Sequence, residues 1–403
     1  MLPRVARLPS LTGLRWFAAL AVFTCHICQQ GIFADQKLGA ELAKFTPLGS
    51  IAVSFFFVLS GFVLTWSARD EDSVPVFWRR RFAKIYPLHF VTLCVAGAII
   101  LGLSEPVLPG GSVWDGLVPD LLLLQSWLPE PSVISGFNTP SWSLSCEMAF
   151  YLSFPLWFRL FRRVPGKRLW WWAGGLATAV VCVPFVAALL PGSAEVAPGM
   201  PLNELWFVYW FPPVRALEFV LGIVMALILG KGLWRGPGVW LSALLLAGGF
   251  ALTQAVPAMF TLQAATVVPA TLLITAAADA DVRGLRTWGL RSAVLVRLGE
   301  WSFAFYLIHF IVIRYGHRLL GGDLGYAKQW DTPGAIGVAL LGVAVATCAA
   351  ALLHTFVEKP AMRLLGGRRR PAARPDGTAP APAPAPAPGT APDPAADPDP
   401  ARA

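Results

Sequence analysis

Charged residues are scarce in this chain of 403 residues, because Asp, Glu, Lys and Arg together make up only 14% of it. A soluble globular domain has about 25% charged and about 45–50% apolar residues. Here the apolar fraction is 56%. No segment between the apolar stretches is long enough to build a hydrophobic core of its own. These absences exclude the soluble globular class and predict an all-α membrane protein, a polytopic helical bundle.

Apolar stretches of about twenty residues, the length that crosses roughly 30 Å of hydrocarbon as a helix, recur along the chain. They begin near Leu11, Leu48, Pro87, Ser143, Leu169, Phe211, Pro237, Ala258, Val294 and Ala335. The run 115–127 is too short to cross and contains two Asp and one Pro, which favours an interfacial or re-entrant segment. The sequence therefore predicts about ten transmembrane helices.

The loops contain no cysteine framework of the kind found in secreted disulfide proteins. All six cysteines lie in or beside apolar stretches, so structural disulfides are not expected. Cys25 and Cys28 flank His26 with a spacing seen in metal sites. A second ligand cluster is missing, however, and small thiols pack well in membrane helices. We predict no metal site and no bound cofactor.

The net charge of +9 at pH 7 is distributed unevenly between the predicted loops. With the N-terminus inside, the inner segments contain Arg4, Arg7, Arg69, Arg79, Arg80, Arg81, Lys84, Arg159, Arg162, Arg163, Lys167, Arg168, Lys231, Arg235, Arg283, Arg286, Arg291, Arg297, Lys359, Arg363, Arg368, Arg369 and Arg370. The outer loops contain only Lys37, Lys44, Arg314, Arg318 and Lys328. This alternation predicts a multi-pass protein of a bacterial cytoplasmic membrane with both termini in the cytoplasm. The predicted partner of the basic face is the lipid bilayer or an anionic ligand, and not nucleic acid.

Residues 1–366 are predicted to form one integral membrane domain. Residues 367–403 begin with basic residues and continue with an Ala-Pro alternation, which cannot bury apolar area and predicts a disordered cytoplasmic tail. Neither a fixed-period repeat nor an inverted pair of broken helices stands out, and the second absence disfavours a secondary transporter. Arg15 and His26 interrupt the apolar N-terminal run, so we interpret it as a first span rather than a signal peptide.

Arg15 and His26 share one stripe of the first predicted helix, because eleven steps of about 100° return nearly to the same face. At about 1.5 Å per residue they stand roughly 16 Å apart, a span comparable to a pantetheine arm. An imidazole deep in a span is costly unless it faces a polar interior, and it titrates where a general base must work. The alternative is that Arg15 extends to the headgroups and His26 bonds a neighbouring helix.

Other polar residues fall in or beside the spans. Glu147 lies in the fourth span and either orients His26, holds an acceptor or bonds a neighbouring helix. Arg215 and Glu218 sit three residues apart and are expected to pair with each other. The segment 77–87 concentrates four cations within six residues. It is either an ordinary positive-inside flank or a cradle for the phosphates of a nucleotide-bearing donor.

Several segments together resemble the membrane-bound acyltransferase 3 family, whose members O-acylate sugars, polysaccharides and some antibiotics. The matching segments are Leu11-Thr-Gly-Leu-Arg15 through His26, Ser54-Phe-Phe-Phe-Val-Leu-Ser-Gly-Phe62, Arg80-Arg-Phe-Ala-Lys-Ile-Tyr-Pro87, Pro140-Ser-Trp-Ser-Leu-Ser-Cys-Glu147, Leu298-Gly-Glu-Trp-Ser-Phe-Ala-Phe-Tyr-Leu-Ile-His309 and His354-Thr-Phe-Val-Glu-Lys-Pro360. They cover nearly the whole membrane domain in the right order. Two positions differ, since Thr12 stands where many members have Asp and Lys84 where many have Arg.

The resemblance implies a short-chain acyl-CoA as donor substrate and a hydroxyl, of a sugar, a glycan or a secreted glycoside, as acceptor. His26 and Glu147 are the implied catalytic residues. The implied substrate-binding residues are Arg15, Arg80, Arg81, Lys84, Tyr86, Trp142 and Ser143. Direct transfer and an acyl-histidine intermediate both remain open. Two other classes also bury His, Arg and Glu in a helical bundle: a transporter or flippase, and a scaffolding subunit of an envelope assembly.

Overall fold

The computed structural model describes residues 7–68, 73–103, 113–321 and 328–366. The predicted tail, 367–403, lies outside the described residues. The described α-helices are α1 (Pro9–Gln29), α2 (Gln36–Ala43), α3 (Pro47–Ser67), α4 (Val74–Gly102), α5 (Val113–Leu122), α6 (Pro131–Ser135), α7 (Trp142–Arg162), α8 (Gly166–Ala187), α9 (Leu202–Leu205), α10 (Pro212–Gly230), α11 (Val239–Leu252), α12 (Ala258–Thr261), α13 (Val267–Arg283), α14 (Ala293–Leu319), α15 (Thr332–Leu353) and α16 (Lys359–Leu365). Short 3₁₀ turns at Gln125–Trp127 and Thr139–Ser141, π-helical segments at Trp206–Trp210 and His354–Glu358, and a hairpin of β1 (Glu195–Ala197) and β2 (Met200–Pro201) complete the described elements.

Seven described segments are long and apolar enough to cross a membrane: Pro9–Gln29, Gln36–Ser67, Val74–Gly102, Gly166–Ala187, Leu202–Gly230, Ala293–Leu319 and Thr332–Leu365. The predicted class, an all-α polytopic membrane protein, is confirmed. Each of the ten predicted spans coincides with helix, but α7, α11 and α13 are not among the seven. Helices α11 and α13 have 14 and 17 residues, and α7 carries Glu147, Arg159 and Arg162. The count of ten stays a prediction.

Two helix boundaries differ from the prediction. The stretch from Ala258 is divided into α12 and α13, because Pro269 has no N–H to bond the carbonyl of Ala265 and a continuous helix would lose that hydrogen bond. Helix α4 begins at Val74, with Pro75 in its first turn. The basic segment 77–87 is therefore the start of a helix and not a loop before the span.

Close packing of α3 against α10 forms the centre of the bundle. A Cβ at Gly61 would collide with the carbonyl oxygen of Phe219, and one at Gly222 with that of Val58. Small residues allow membrane helices to approach this closely. Helix α1 packs between α3 and α14. One face of α1 is thereby brought against α14, more than 260 residues away along the chain.

The start of α1 is fastened to the end of α13 by the buried carboxylate of Asp281. The backbone N–H of Ser10 donates to Asp281 Oδ2 at 2.9 Å, and its hydroxyl donates to Oδ1 at 2.7 Å. Arg291 forms a salt bridge with the same carboxylate at 2.6 Å. Asp281 thus joins the start of α1 and the end of α13 to the short segment before α14.

Asp120 of α5 organises the segment before α7. Its carboxylate is fully buried and accepts hydrogen bonds from the backbone N–H of Phe137 at 2.8 Å and the hydroxyl of Ser141 at 3.3 Å. Burial raises the pKa of Asp120 to about 7, and the bonds from Phe137 and Ser141 partly oppose that rise. Gln125 also donates to the carbonyl of Ser141, at 3.0 Å. The start of α7 is therefore fixed by the preceding loop.

The run 115–127 is short and only partly helical, so it does not cross as one span.

The predicted pairing of Arg215 with Glu218 in α10 is confirmed. Their side chains are fully buried, with Arg215 Nη2 3.1 Å from Glu218 Oε2. Arg215 also donates to Gln263 Oε1 at 2.6 Å and to the hydroxyl of Ser54 at 3.2 Å. Its guanidinium lies 4.9 Å from the centre of the Phe57 ring. The pair joins α10 to α3 and to the turn before α13.

Candidate active site

His26, near the end of α1, meets His309 of α14. His26 Nδ1 and His309 Nε2 lie 2.8 Å apart, although the two residues are 283 positions apart in sequence. The rings of Phe310 and His26 form a T-shaped contact with a centroid distance of 5.0 Å. His309 is fully buried and donates through Nδ1 to the carbonyl oxygen of Tyr306 at 2.7 Å. The two imidazoles therefore form a buried polar pair between α1 and α14.

One helical turn before His309, Tyr306 lines a small inner cavity with Arg15, Ser143, Glu147 and Ser302. The hydroxyls of Tyr306 and Ser143 lie 2.9 Å apart. Each also reaches the carbonyl oxygen of Pro140, at 3.1 Å. This cavity lies between α1, α3, α7 and α14. Its residue nearest the histidine pair in sequence is Tyr306, whose ring centre lies 5.9 Å from that of His309.

A second cavity continues from the first, because Arg15, Phe56, Glu147 and Phe303 line both. Its polar wall also contains Ser60, Arg81, Lys84 and Tyr151. Glu147 Oε2 accepts a hydrogen bond from the Tyr151 hydroxyl at 3.0 Å and lies within electrostatic range of Arg15, Lys84 and Arg81. Arg15 Nε is buried without a hydrogen-bond partner among the described residues. An unsatisfied guanidinium nitrogen of this kind is costly unless a ligand pairs with it.

A third cavity shares Leu64 and Arg81 with the second and opens where α4 begins and α7 ends. Four arginines line it: Arg80, Arg81, Arg159 and Arg162. Its wall also contains stacked aromatic rings, with Phe77 and Phe154 at 5.0 Å between centroids and Phe154 and Phe158 at 5.5 Å. We call this third cavity the arginine mouth. The first cavity shares lining residues with the second, and the second shares lining residues with the third. Together the three cavities form one path from the arginine mouth to Tyr306.

The acyltransferase domain family matches residues 8–355 of the chain. The chain belongs to this family. Acyltransferase MdmB of Streptomyces mycarofaciens is 72% identical over 383 residues, which is 95% of this chain and 97% of that protein. Nodulation protein 10 of Rhizobium leguminosarum bv. viciae is 26% identical, covering 87% and 92% of the two chains. The peptidoglycan O-acetyltransferase OatA of Listeria monocytogenes is 27% identical over 55% of this chain and 34% of its own length.

No solved structure matches the chain. The matches to named acyltransferases establish that this protein is an acyltransferase enzyme, and the O-acetyltransferase relatives together with the apolar helices make it a membrane O-acyltransferase. The resemblance on which the family was first recognised is confirmed over nearly the whole membrane domain. The roles of individual residues depend on the geometry described above.

The structure brings most of the predicted substrate-binding residues of the acyltransferase to the path of cavities. Arg15, Arg80, Arg81, Lys84 and Ser143 line it. The other two predicted substrate-binding residues lie outside the described lining of the three cavities. The Tyr86 hydroxyl donates to the carbonyl of Leu121 at 3.1 Å, and Trp142 packs between Phe57 and Tyr209 at centroid distances of 6.2 and 4.9 Å. Both contacts support the walls of the bundle.

The two predicted catalytic residues are not paired with each other. The hydrogen bond of His26 goes to His309, and that of Glu147 goes to Tyr151. His309 was absent from the predicted site, although it closes the family-like segment 298–309. An intramembrane histidine is itself a signal of function. Arg159 and Arg162 were also missed, because at a helix end they resemble an ordinary positive-inside flank.

Proposed function

We propose that the protein transfers a short acyl group from acyl-CoA to a hydroxyl group of a sugar or glycan. The observation that carries this proposal is the path of cavities that begins at four arginines and ends at Tyr306, whose ring lies 5.9 Å from the ring of His309, the partner of His26. A thioester donor with a charged nucleotide head and a long, thin arm has this shape. The reacting carbon then lies at the inner end, beside Tyr306 and one helical turn from His309.

The arginine mouth fits the nucleotide head of the donor. Guanidinium groups bind phosphate oxygens through paired, charge-assisted hydrogen bonds. The rings of Phe77, Phe154 and Phe158 offer an apolar face on which a purine base stacks. Arg159 and Arg162 supply cations from a second helix, so phosphates are gripped from two sides.

Arg15 and Glu147 lie where the arm of the donor passes. The unsatisfied Nε of Arg15 suits a carbonyl or phosphate oxygen of the donor. Arg15 and His26 stand roughly 16 Å apart along α1, which matches an extended pantetheine arm. Since Glu147 lines the same two cavities as Arg15, we propose that it acts on the donor and on Arg15 rather than directly on His26.

The volume of the inner cavity favours a short acyl group. It is about 50 Å³. An apolar cavity that binds benzene has roughly 150 Å³. An acyl chain of a few carbons is compatible with the smaller space.

In the proposed reaction, His26 removes the proton of the acceptor hydroxyl while the hydroxyl oxygen attacks the thioester carbonyl. The new C–O ester bond forms as the C–S bond breaks. The departing CoA sulfur receives the proton from His26, so the enzyme returns to its starting state. In the alternative, His26 first takes the acyl group itself and then passes it to the hydroxyl.

The acceptor is proposed to approach from the other end of α1. A wider cavity of about 480 Å³ lies there and is lined by Cys25, Gln29, Tyr209, Trp210 and other residues. Cys25 directly precedes His26 in α1. Aromatic rings and side-chain amides are suitable surfaces for a sugar. One relative carries the name of a peptidoglycan O-acetyltransferase, which supports a carbohydrate acceptor.

The basic residues support an orientation in which the arginine mouth opens to the cytoplasm, where acyl-CoA is made, with both termini on that side. The family and the bacterial relatives support the cytoplasmic membrane as the location. In this orientation the acceptor cavity faces outward, and the acyl group crosses the membrane through the enzyme.

Binding of acetyl-CoA to the purified full chain in detergent tests the donor, measured by calorimetry for wild type, Arg15→Ala and the control Arg168→Ala. Arg168 is exposed and lies outside the described cavity lining. We expect saturable binding that Arg15→Ala weakens about tenfold or more and the control leaves unchanged. Folded protein that binds no acyl-CoA, or uptake of a glycan without thioester consumption, would instead indicate a transporter.

A further inference from the structure

The protonation of His309 follows from its neighbours. Its Nδ1 lies 2.7 Å from the carbonyl oxygen of Tyr306 and 3.2 Å from that of Phe305. A carbonyl oxygen only accepts hydrogen bonds. Nδ1 of His309 therefore carries a proton and donates it to the backbone of its own helix.

The second nitrogen of His309 is a bare acceptor as long as the ring is neutral. The ring is fully buried and lies against the aromatic rings of Phe23, Phe305 and Tyr306. None of its described contacts is a carboxylate, and a buried imidazolium without a counter-charge costs several kcal/mol. The neutral form is favoured, so His309 Nε2 has a free lone pair.

This lone pair decides which nitrogen of His26 is protonated. His26 Nδ1 is the atom that lies 2.8 Å from His309 Nε2, and a hydrogen bond between them requires a proton on His26 Nδ1. The ring planes differ by only 16° while the ring centres are 5.1 Å apart. The rings therefore meet edge to edge, with the donor in the plane of the acceptor lone pair, which is the favourable direction. In the neutral ring of His26, Nε2 is then left without a proton.

We infer that His309 is a positioning residue that fixes His26 in the tautomer with a bare Nε2, the form that accepts a proton from the acceptor hydroxyl. The inference rests on the proposed function for its chemistry and on the structure for its geometry. When His26 takes up a proton at Nε2, its Nδ1–H stays hydrogen-bonded to His309 Nε2, which stabilises the imidazolium. Without His309, either nitrogen of His26 can carry the proton, and the ring is free to rotate.

Two substitutions of His309 separate positioning from packing. In His309→Gln the carboxamide oxygen can accept from His26 and its NH₂ can donate to the Tyr306 carbonyl, so the orienting bond is partly retained. In His309→Leu the volume is kept and the acceptor is lost. The matched control is His317→Gln, also in α14, where the His317 ring stacks on Trp330 at 5.0 Å.

We expect His309→Leu to lower kcat about 100-fold or more, since general-base catalysis contributes 10²–10⁴-fold, while the Kd for acetyl-CoA changes less than about twofold. His309→Gln should stay within about tenfold of wild type, and His317→Gln should be unchanged. A full kcat in folded His309→Leu, or equal loss in the Leu and Gln variants, would contradict the inference.

Nitrogen NMR of histidine-labelled protein gives a readout that does not need turnover. The His26 signals are assigned by their loss in His26→Gln, and we expect a protonated Nδ1 and a bare Nε2 in wild type. A protonated Nε2 in wild type overturns the inference even if no His309 variant folds. Failure of the proposed function is recognised separately, because wild type would then neither bind acetyl-CoA nor release CoA, while the tautomer remains measurable.

Discussion

Lys84 of α4 forms a salt bridge with Glu358, the last residue of the π-helical segment His354–Glu358. Glu358 is only 1% exposed and also accepts a hydrogen bond from His354 Nδ1 at 2.9 Å. The ammonium group of Lys84 is thus balanced by the C-terminal end of the membrane domain while it lines the second cavity. A lysine suits this place, because a point charge pairs with a single carboxylate without the bidentate geometry of arginine. The segment that follows α15 thereby pairs with a residue in the wall of the second cavity.

Removing Lys84 alone should destabilise the protein more than removing both partners. Lys84→Met leaves the buried Glu358 carboxylate with His354 as its described partner, and such a loss costs about 3–5 kcal/mol of unfolding free energy. We expect the double variant Lys84→Met with Glu358→Gln to recover most of that loss. Denaturant unfolding in mixed micelles measures this, with Lys167→Met, an exposed lysine, as control. Equal losses in the single and double variants would argue against a coupled pair.

Substitution of arginines in the arginine mouth should weaken binding of the nucleotide head of the donor and leave binding of its pantetheine arm unchanged. We expect Arg159→Gln and Arg162→Gln each to weaken CoA binding about tenfold, because a charge-assisted hydrogen bond contributes about 1.5–3 kcal/mol. Binding of pantetheine, which lacks the phosphates, should not change. Calorimetry at two salt concentrations tests this, with Arg168→Gln as control. If pantetheine binding falls by the same factor, the two arginines act on the fold and not on the phosphates.

Asp120 should make the loop before α7 less stable as the pH rises. Burial raises its folded-state pKa from 3.8 to about 7, so the folded protein holds a proton that the unfolded chain releases between about pH 4 and pH 7. The associated stability is complete below about pH 4 and is lost as the pH rises through 7, by about 4 kcal/mol at most. Proteolysis of the 113–141 region at pH 5 and pH 8 measures this.

Asp120→Asn is the matched variant, because it keeps an acceptor for the N–H of Phe137 and cannot ionise. We expect its proteolysis rate to lose most of the pH dependence. Of the described neighbours, His89 bonds the backbone carbonyl of Asp120 and not its carboxylate, at 2.8 Å. A pH dependence that is as steep in Asp120→Asn as in wild type would assign it to another group.

Replacement of Arg215 by lysine should destabilise the folded protein. Its guanidinium contacts Gln263, Ser54 and Glu218 at once, and a single ammonium group cannot reproduce that fork. We expect Arg215→Lys to lower the free energy of unfolding by about 2–4 kcal/mol, since buried groups would be left unsatisfied. The control is Arg283→Lys, whose exposed pair with Asp279 contributes little. Wild-type stability in Arg215→Lys would mean that water or another group completes the site.

Much of the fold could be predicted from local pattern. A helix that crosses hydrocarbon must be apolar over about twenty residues, so each predicted span coincides with helix even where its start is displaced. The displaced starts have local causes that the hydropathy scan ignored. Pro269 interrupts the stretch from Ala258, and α4 extends to Val74 because a basic flank forms helix as readily as an apolar one.

For the site, the sequence was sufficient to select His26 and Arg15, because polar groups in a span are costly and the spacing of eleven places them on one face. It could not select their partners. One expected role of Glu147 was to orient His26, but its carboxylate accepts a hydrogen bond from Tyr151, four residues further along the same helix, and it lines the first and second cavities.

The sequence by itself determined the membrane class, the family and the polar residues that the bundle must accommodate. Tertiary structure alone decided that His26 meets His309 and that Lys84 meets Glu358, residues 283 and 274 positions apart. The physical reason is that hydrophobicity and helical period act over a few residues of one helix. Which side chains touch across helices depends on how small residues such as Gly61 and Gly222 let the helices approach, and this is a property of the packed bundle.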